Sequence, residues 1–208
     1  MRILIIFLLG GICIFAECNR SPFGCFESTW QFQIPMQIYP DNEEVKIGDT
    51  IWMQLSSPKH FTDAISGQDI DFSQAANLST NITFYQFADS GNGIKYLKPA
   101  VAFFDYKLVY GRFLPDDRGA SYNVDYNFKE TDSSYEFKLG IVPKLTGEFV
   151  FAPYDVSSVY RKNAKCPQAA FQYAIINTNQ HLKTYLDFYP GHVLSSLEKR
   201  IVYCFKVK

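Results

Sequence analysis

Apolar and polar residues alternate almost without fault from Trp30 to Ile38, with Trp30, Phe32, Ile34, Met36 and Ile38 on one side and Gln31, Gln33, Pro35 and Gln37 on the other. A period of two predicts a β-strand with one buried face. Pro35 falls on the polar side and has no amide to donate, which predicts a strand at a sheet edge. A turn-rich stretch, Pro40-Asp41-Asn42-Glu43-Glu44, follows, and residues 45–55 then read as two short strand pieces hinged on Gly48-Asp49. Residues 56–80 are polar and predict irregular structure. Strand composition returns at 81–87, 101–104, 106–110 and 122–128, the last with Tyr122, Val124, Tyr126 and Phe128 on one face. Residues 134–142 and 148–151 flank Pro143-Lys144-Leu145-Thr146-Gly147, which predicts a hairpin with glycine at its exit. Residues 171–176 and 201–207 complete the series. Between them, residues 179–186 predict a short helix capped by Asn179, and residues 194–199 a further helical turn.

Many short strands separated by turn signals, without a helix between successive strands, predict a mainly β fold: a single antiparallel, Ig-like β-sandwich with one or two short helices near the C-terminus. No repeat, linker or low-complexity tract divides the chain. Its 208 residues, 47% hydrophobic and 17% aromatic, suffice for one sizeable core.

The first residues follow a different pattern. Met1-Arg2 is a short positive start, and residues 3–15 are an unbroken run of apolar residues and glycine. That run is shorter than the roughly 20 residues a membrane-spanning helix needs. With Ala16 at a cleavage position, residues 1–16 read as a signal peptide. Residues 17–28 then form an N-terminal tether and residues 29–208 the sandwich domain. Cys18, just beyond the apolar run, stands where a bacterial lipoprotein carries its lipid-acceptor thiol, although Glu17 departs from the small residue that motif prefers. The expected location is the outer membrane or cell surface as a lipoprotein, or else the periplasm or medium. Cys18 is the only expected attachment to a membrane.

Phe32-Gln33-Ile34-Pro35 and Val45-Lys46-Ile47-Gly48-Asp49-Thr50-Ile51-Trp52, followed by Asp63, Ser66-Gly67 and Asp69, carry a resemblance. They resemble segments of a family of uncharacterised exported proteins and lipoproteins of Gram-negative bacteria. The second segment is also similar to early strands of Ig-like modules in bacterial surface proteins. The resemblance implies an exported β-sandwich and supplies no activity.

With Cys13 in the leader, four cysteines remain: Cys18, Cys25, Cys166 and Cys204. Export permits disulfides, and four thiols allow three full pairings. Cys25 lies just ahead of the first strand and Cys166 in a polar loop, so a Cys25–Cys166 disulfide would staple that loop to the N-terminal strand. In the chain-entropy description such a long closure is worth about 4–5 kcal/mol. Cys204 sits among apolar residues as a small buried thiol.

Charge narrows the functions. Net charge is −1, and removing the leader deletes only Arg2, leaving −2. Intermixed signs provide no electrostatic footprint for nucleic acid. His60, His181 and His192 sit in no metal or nucleophile pattern, and the nucleophile-elbow and phosphate-loop signatures are absent. The expectation is therefore no catalytic, cofactor-binding or metal-binding residues. Asp63, Asp69 and Asp71, and Asp116-Asp117, are oxygen-rich loops that calcium would suit, but Asp is also the ordinary turn former. Asn77-Leu78-Ser79 and Asn81-Ile82-Thr83 are formal glycosylation sequons. Trp30, Trp52, Tyr106 and Tyr110 are candidates for a carbohydrate-stacking platform, against the alternative that they fill the core. A non-catalytic envelope or surface module with an unknown protein or glycan partner is the leading expectation. A carbohydrate-binding or carbohydrate-active protein is the alternative; a ligand-binding sandwich predicts exposed coplanar aromatics on one face.

Overall fold

The structure is a computed structural model that describes residues 30–114 and 122–208. The expected leader, the tether, Cys18, Cys25, Asp116 and Asp117 lie outside the described residues. The strands run β1 (Trp30–Tyr39), β2 (Glu44–Val45), β3 (Ile51–Pro58), β4 (His60–Thr62), β5 (Asp69–Asp71), β6 (Ser79–Asp89), β7 (Lys95–Pro99) and β8 (Phe104–Tyr110). They continue with β9 (Arg112–Leu114), β10 (Asn123–Asn127), β11 (Lys129–Glu130), β12 (Ser134–Pro143), β13 (Gly147–Tyr154), β14 (Val156–Val159), β15 (Ala169–Ile175) and β16 (Tyr203–Val207). Helices α1 (Leu182–Phe188) and α2 (Ser196–Ile201) precede the last strand.

These strands form the expected Ig-like β-sandwich. The first sheet has the order β11-β12-β3-β1-β15-β14, with β8 also on β12; the second has β2-β16-β13-β6-β10-β9, with β7 also on β6. Pairing is mainly antiparallel. Two pairs are parallel, β1 with β15 and β2 with β16.

The core lies between the sheets and is built from the alternating positions. Phe32, Ile34, Met36 and Ile38 of β1, Ile51, Met53 and Leu55 of β3, and Tyr135, Phe137, Leu139 and Ile141 of β12 point inward from one side. Ile82, Phe84, Phe149, Phe151, Tyr203 and Phe205 meet them from the other. Phe171 is fully buried among Phe32, Phe61 and Phe72, with ring centroids 5.1, 5.2 and 5.4 Å away.

A second apolar cluster occupies the outer face of the second sheet. Phe87, Val150, Ala152 and Cys204 there are covered by Leu182, Tyr185 and Phe188 of α1 and Ile201 of α2. Strands with both faces covered bury consecutive residues, which is why β13 and β16 lack the clean alternation of β1. Arg200 of α2 makes a paired contact to Asp155, 3.0 and 2.6 Å, and Asp155 also accepts the Tyr173 amide at 2.9 Å. This ties α2 to the end of β15. Burial pushes the Cys204 thiol up to about 12, leaving it free, buried and protonated. Among the described residues, no helix is long and apolar enough to cross a membrane.

Three local expectations are revised. The residues around Pro143–Gly147 make an arch: β12 belongs to the first sheet and β13 to the second. Turn residues look alike in a hairpin and an arch; here Phe137, Leu139 and Ile141 and then Phe149 and Phe151 must fill one core from opposite sides. Gly48-Asp49 likewise carries the chain from β2 in one sheet to β3 in the other, with Gly48 at φ +87° and Asp49 Oδ2 accepting the Lys46 amide at 2.8 Å. The first helix begins two residues later than expected. His181 is its N-cap residue, at φ 55° in the left-handed region, and Asn179 accepts the His181 amide at 2.8 Å in the turn before it. The polar stretch 56–80 also contains more structure than expected, in the β4–β5 hairpin.

Pro35 has a more specific role than marking an edge strand. β1 is interior in the strand order, pairing with β15 from Trp30 to Met36 and with β3 only from Gln37 to Tyr39. The Trp30 amide donates to Gln168 O and Met36 O accepts from Ile176, so the even residues direct their backbone groups toward β15. The odd residues face the β3 side, where the missing amide of Pro35 coincides with the end of that ladder.

Candidate functional site

Among the described residues, α1 and α2 cover the outer face of the second sheet, and the chemistry of the first sheet's outer face around β3 and β12 follows from strand parity. In β3, Ile51, Met53 and Leu55 point into the core, so Trp52, Gln54 and Ser56 point out. In β12 the same rule sends Glu136 and Lys138 outward. Antiparallel pairing sets Tyr39 directly opposite Trp52. Their rings are stacked, 6.4 Å apart between centroids with planes 21° apart. The Lys138 ammonium rests 4.9 Å from the Trp52 ring and 5.4 Å from that of Tyr39.

Gly140 is opposite Trp52 on β12. A Cβ on Gly140 would come within 2.9 Å of both the Trp52 ring and the Thr50 methyl group. Glycine in this strand interior therefore lets the indole lie close against the sheet. Beside the ring pair is an open groove of about 300 Å³, lined by Pro35, Gln37, Gln54, Ser56, Tyr110 and Lys138, among others. It begins where the β1–β3 ladder stops at Gln37. Gln54 Nε2 donates to Gln37 Oε1 at 3.2 Å, and Ser56 donates to Glu136 at 2.8 Å. The face thus presents two neighbouring rings, two amides, hydroxyls and the charges of Glu136 and Lys138, with Lys107 and Lys129 flanking them.

The aromatic residues singled out from sequence divide between core and surface. Trp30 packs on Phe32 and Phe72, with the Arg161 guanidinium 5.2 Å from its ring. Tyr106 is partly buried against Phe84 and donates to Val101 O at 2.9 Å. Trp52 and Tyr110 are on the outer face. Sequence reasoning missed Tyr39, Lys138 and Gly140 as its companions; a glycine inside the apolar strand Phe137–Ile141 was the available signal.

The histidines do not converge. His60 is exposed, 3.3 Å from Asp69 across the β4–β5 hairpin. His192 Nε2 is 3.0 Å from Glu198 Oε1, whose side chain also completes the α2 capping box with Ser195. His181 is buried at the start of α1 with Nε2 3.2 Å from Asp41 Oδ1, which also accepts the Tyr203 hydroxyl at 3.2 Å. The alignment is too poor for either ring nitrogen of His181 to make a directed hydrogen bond. This pair of a buried His181 and a partly exposed Asp41 lies between the β1–β2 turn and α1, away from the groove. Among the described residues, no group of three or more His, Cys, Asp or Glu converges as metal ligands do.

Asp63, Asp69 and Asp71 have separate partners. Asp71 accepts the Ser73 amide at 3.0 Å, whereas Asp63 is buried and accepts the Gln31 amide, the Ser66 amide and the Ser66 hydroxyl at 2.8, 2.8 and 2.6 Å. With Ala64, whose amide donates to Gln31 O, Asp63 closes the β1 edge that β3 leaves unpaired. The hydrogen bond from Gln31, then those from Ser66, hold the Asp63 carboxyl down at about 2, from an ordinary 3.8. A depressed carboxyl stabilises the fold fully above its unfolded value, and that contribution is lost as pH falls through the folded one. Asp63→Asn is therefore expected to lose less stability than the parent between about pH 4 and pH 2. Urea melts of both proteins at pH 7, 4 and 2.5 test this; parallel losses would reject it.

The sequon asparagines are occupied in the fold. Asn77 accepts the Tyr160 amide and donates to Ser158 O, each at 2.9 Å, and Asn81 donates to Asp125.

No protein-family model matches this chain, and no curated protein matches it. Among solved structures, it is similar to the second type II cohesin module from the cellulosomal adaptor ScaA scaffoldin of Acetivibrio cellulolyticus. That likeness has a TM-score of 0.33 and 10% identity, over 68% of this chain and 92% of that one. The type II cohesin dyad from the same scaffoldin gives a TM-score of 0.34 at 10% identity, over 70% of this chain and 47% of that one. A Coh3ScaB-XDoc_M1ScaA complex, an N-terminal interface mutant of a type II cohesin-X-dockerin complex from that organism, gives 0.30 at 9%, over 68% and 99%. Similarity at this level says nothing about what this chain binds.

Proposed function

We propose that this chain is a non-catalytic, extracytoplasmic binding module whose recognition surface is the outer face of the first sheet. The observation that carries the reading is the unequal covering of the two outer faces among the described residues. Helices α1 and α2 pack over apolar residues on the second sheet. The outer face of the first sheet instead carries the Tyr39–Trp52 ring pair and an open groove lined by Tyr110, Gln37, Gln54 and Lys138, among others. Aromatic residues on an outer face, where they do not build the core, are the residue types that anchor binding surfaces.

In the same proposal the leader is removed on export and Cys18 is acylated, tethering the module at the cell envelope, as in the exported lipoproteins that its N-terminal motifs resemble. Intact mass of the membrane-extracted protein tests the anchor. A diacyl- or triacyl-Cys18 start supports it, and a free Glu17 start rejects it. The Cys25–Cys166 disulfide belongs to this reading too. In denaturant without reductant, a thiol-alkylating reagent is expected to label Cys204 alone in the acylated protein; labelling of Cys25 and Cys166 would reject the bridge. In native protein Cys204 is expected to resist labelling, because burial hides the thiol and keeps it protonated.

Binding itself is tested with fluorescently labelled mature protein added to envelope fractions of the source cells. Saturable retention is expected, and Trp52→Ala is expected to abolish it while the melting curve stays cooperative. Retention unaffected by Trp52→Ala would remove the outer face from the reading.

A further inference from the structure

From the Tyr39–Trp52 pair and the groove beside it we infer that this face takes a neutral polysaccharide chain. The inference rests on the binding role proposed above and names its ligand class. The two rings are stacked on the outer face, with centroids 6.4 Å apart and planes 21° apart, and each is half-buried. The C–H face of a pyranose is flat, apolar and slightly positive, so it complements the electron-rich face of an aromatic ring. Two neighbouring rings offer such contacts to successive sugars of one chain.

The groove supplies the polar half of the recognition. Gln37 and Gln54 lie at its base, their side chains bonded to each other at 3.2 Å. Each amide carries donors and acceptors together, which matches sugar hydroxyls that are also both. Ser56 and the phenol of Tyr110 add hydroxyls along the same wall. A volume of about 300 Å³ is at the small end of ligand sites and suits a short stretch of a longer chain lying in an open groove.

Charge selects among glycans. Glu136 and Lys138, adjacent on the strand face, line the groove with opposite charges, and Lys129, opposite Glu136 on β11, rests 5.7 Å from the Tyr110 ring. Such a lining does not draw in a polyanion as a basic groove would. Lys138 rests over both rings, in the weak contact a solvent-accessible ammonium makes with an aromatic face. An incoming sugar exchanges with it, and the freed ammonium remains at the rim as a donor. Gly140 completes the arrangement, since a Cβ there would push the indole off the sheet.

The test is native affinity electrophoresis of the mature protein in gels containing mixed-linkage β-glucan, xylan, galactomannan or, as the anionic comparison, polygalacturonate. Retardation by at least one neutral polymer is expected, with none by polygalacturonate. Trp52→Ala and Tyr39→Ala are each expected to weaken it at least about tenfold. Asp69→Asn, on the distant β4–β5 hairpin, is expected to leave it unchanged. Thermal melts confirm that each variant is folded, and using two ring variants keeps the test intact should one fail. The glycan inference is overturned by no retardation on any neutral polymer, by retardation on polygalacturonate alone, or by retardation that both ring variants retain. If envelope retention then still depends on Trp52 and is destroyed by protease treatment of the envelope, the occupant is a protein. In that case the binding role stands and only its ligand class falls.

Discussion

Phe171→Ala is expected to lower the stability of the fold by about 3–5 kcal/mol. Phe171 is fully buried on β15, and three phenylalanine rings from β1, β4 and the segment after β5 lie within 5.4 Å of its centroid. Truncation removes the apolar transfer free energy of the ring and leaves a cavity. Its neighbours cannot close that cavity easily, because Phe32 and Phe61 are themselves fixed by pairing in strands. Small domains are stable by only about 5–15 kcal/mol, so the variant is expected to be marginal at 37 °C. Urea unfolding followed by tryptophan fluorescence checks this, with Val193→Ala as the comparison because Val193 is 85% exposed. A loss below about 1 kcal/mol would mean that the cluster repacks around the space, against the rigidity argued here.

The second large effect comes from removing one oxygen. Tyr135 is buried on β12, and its hydroxyl donates to Phe72 O at 2.7 Å and accepts the Ala75 amide at 3.0 Å. Burial pushes the phenol up to about 12, so it remains a protonated donor at any working pH. Tyr135→Phe preserves the ring packing but orphans a carbonyl and an amide together. The expected loss is about 2–3 kcal/mol, below twice the usual cost of one orphaned buried group because the segment after β5 has room to relax toward water. Faster amide exchange at Ala75 is expected to accompany it. The comparison is Tyr203→Phe, whose hydroxyl reaches the partly exposed Asp41 at 3.2 Å; there the loss is expected to stay below about 1 kcal/mol. Equal losses in the two variants would show that the two buried hydrogen bonds of Tyr135 contribute no more than the single contact of Tyr203.

Much of the sandwich was legible along the chain because strand parity is a local property. The alternation in β1 assigned its buried face correctly, whereas Trp52, within the apolar run Ile51-Trp52-Met53, was left open between a stacking ring and a core residue. That tryptophan is the clearest sequence trace of the proposed site. Its companions left weaker traces. Tyr39 ends β1, where a ring reads equally well as core, and Lys138 reads as an ordinary solvated charge. The arch at Pro143–Gly147 was misread because turn residues report that the chain bends, not which sheet it joins next. The buried character of β13 and β16 was legible only as high apolarity, since their two covered faces erase the alternation.

The ring pair on the outer face of the first sheet is Tyr39 with Trp52, stacked and each half-buried. Two of the four rings singled out from sequence, Trp30 and Tyr106, pack chiefly against other residues of the fold. By itself the sequence determined that the chain is mainly strand, which side chains of β1 turn inward, and that short helical segments precede the last strand. Each of these depends on neighbours within a few residues. The tertiary structure alone decided the partners: β15 and β3 on opposite edges of β1, the end of the β3 ladder at Pro35, and helices over the outer face of the second sheet. Those choices depend on contacts between residues far apart in the chain, where the free energy of filling one shared core sets the arrangement and no local pattern records it.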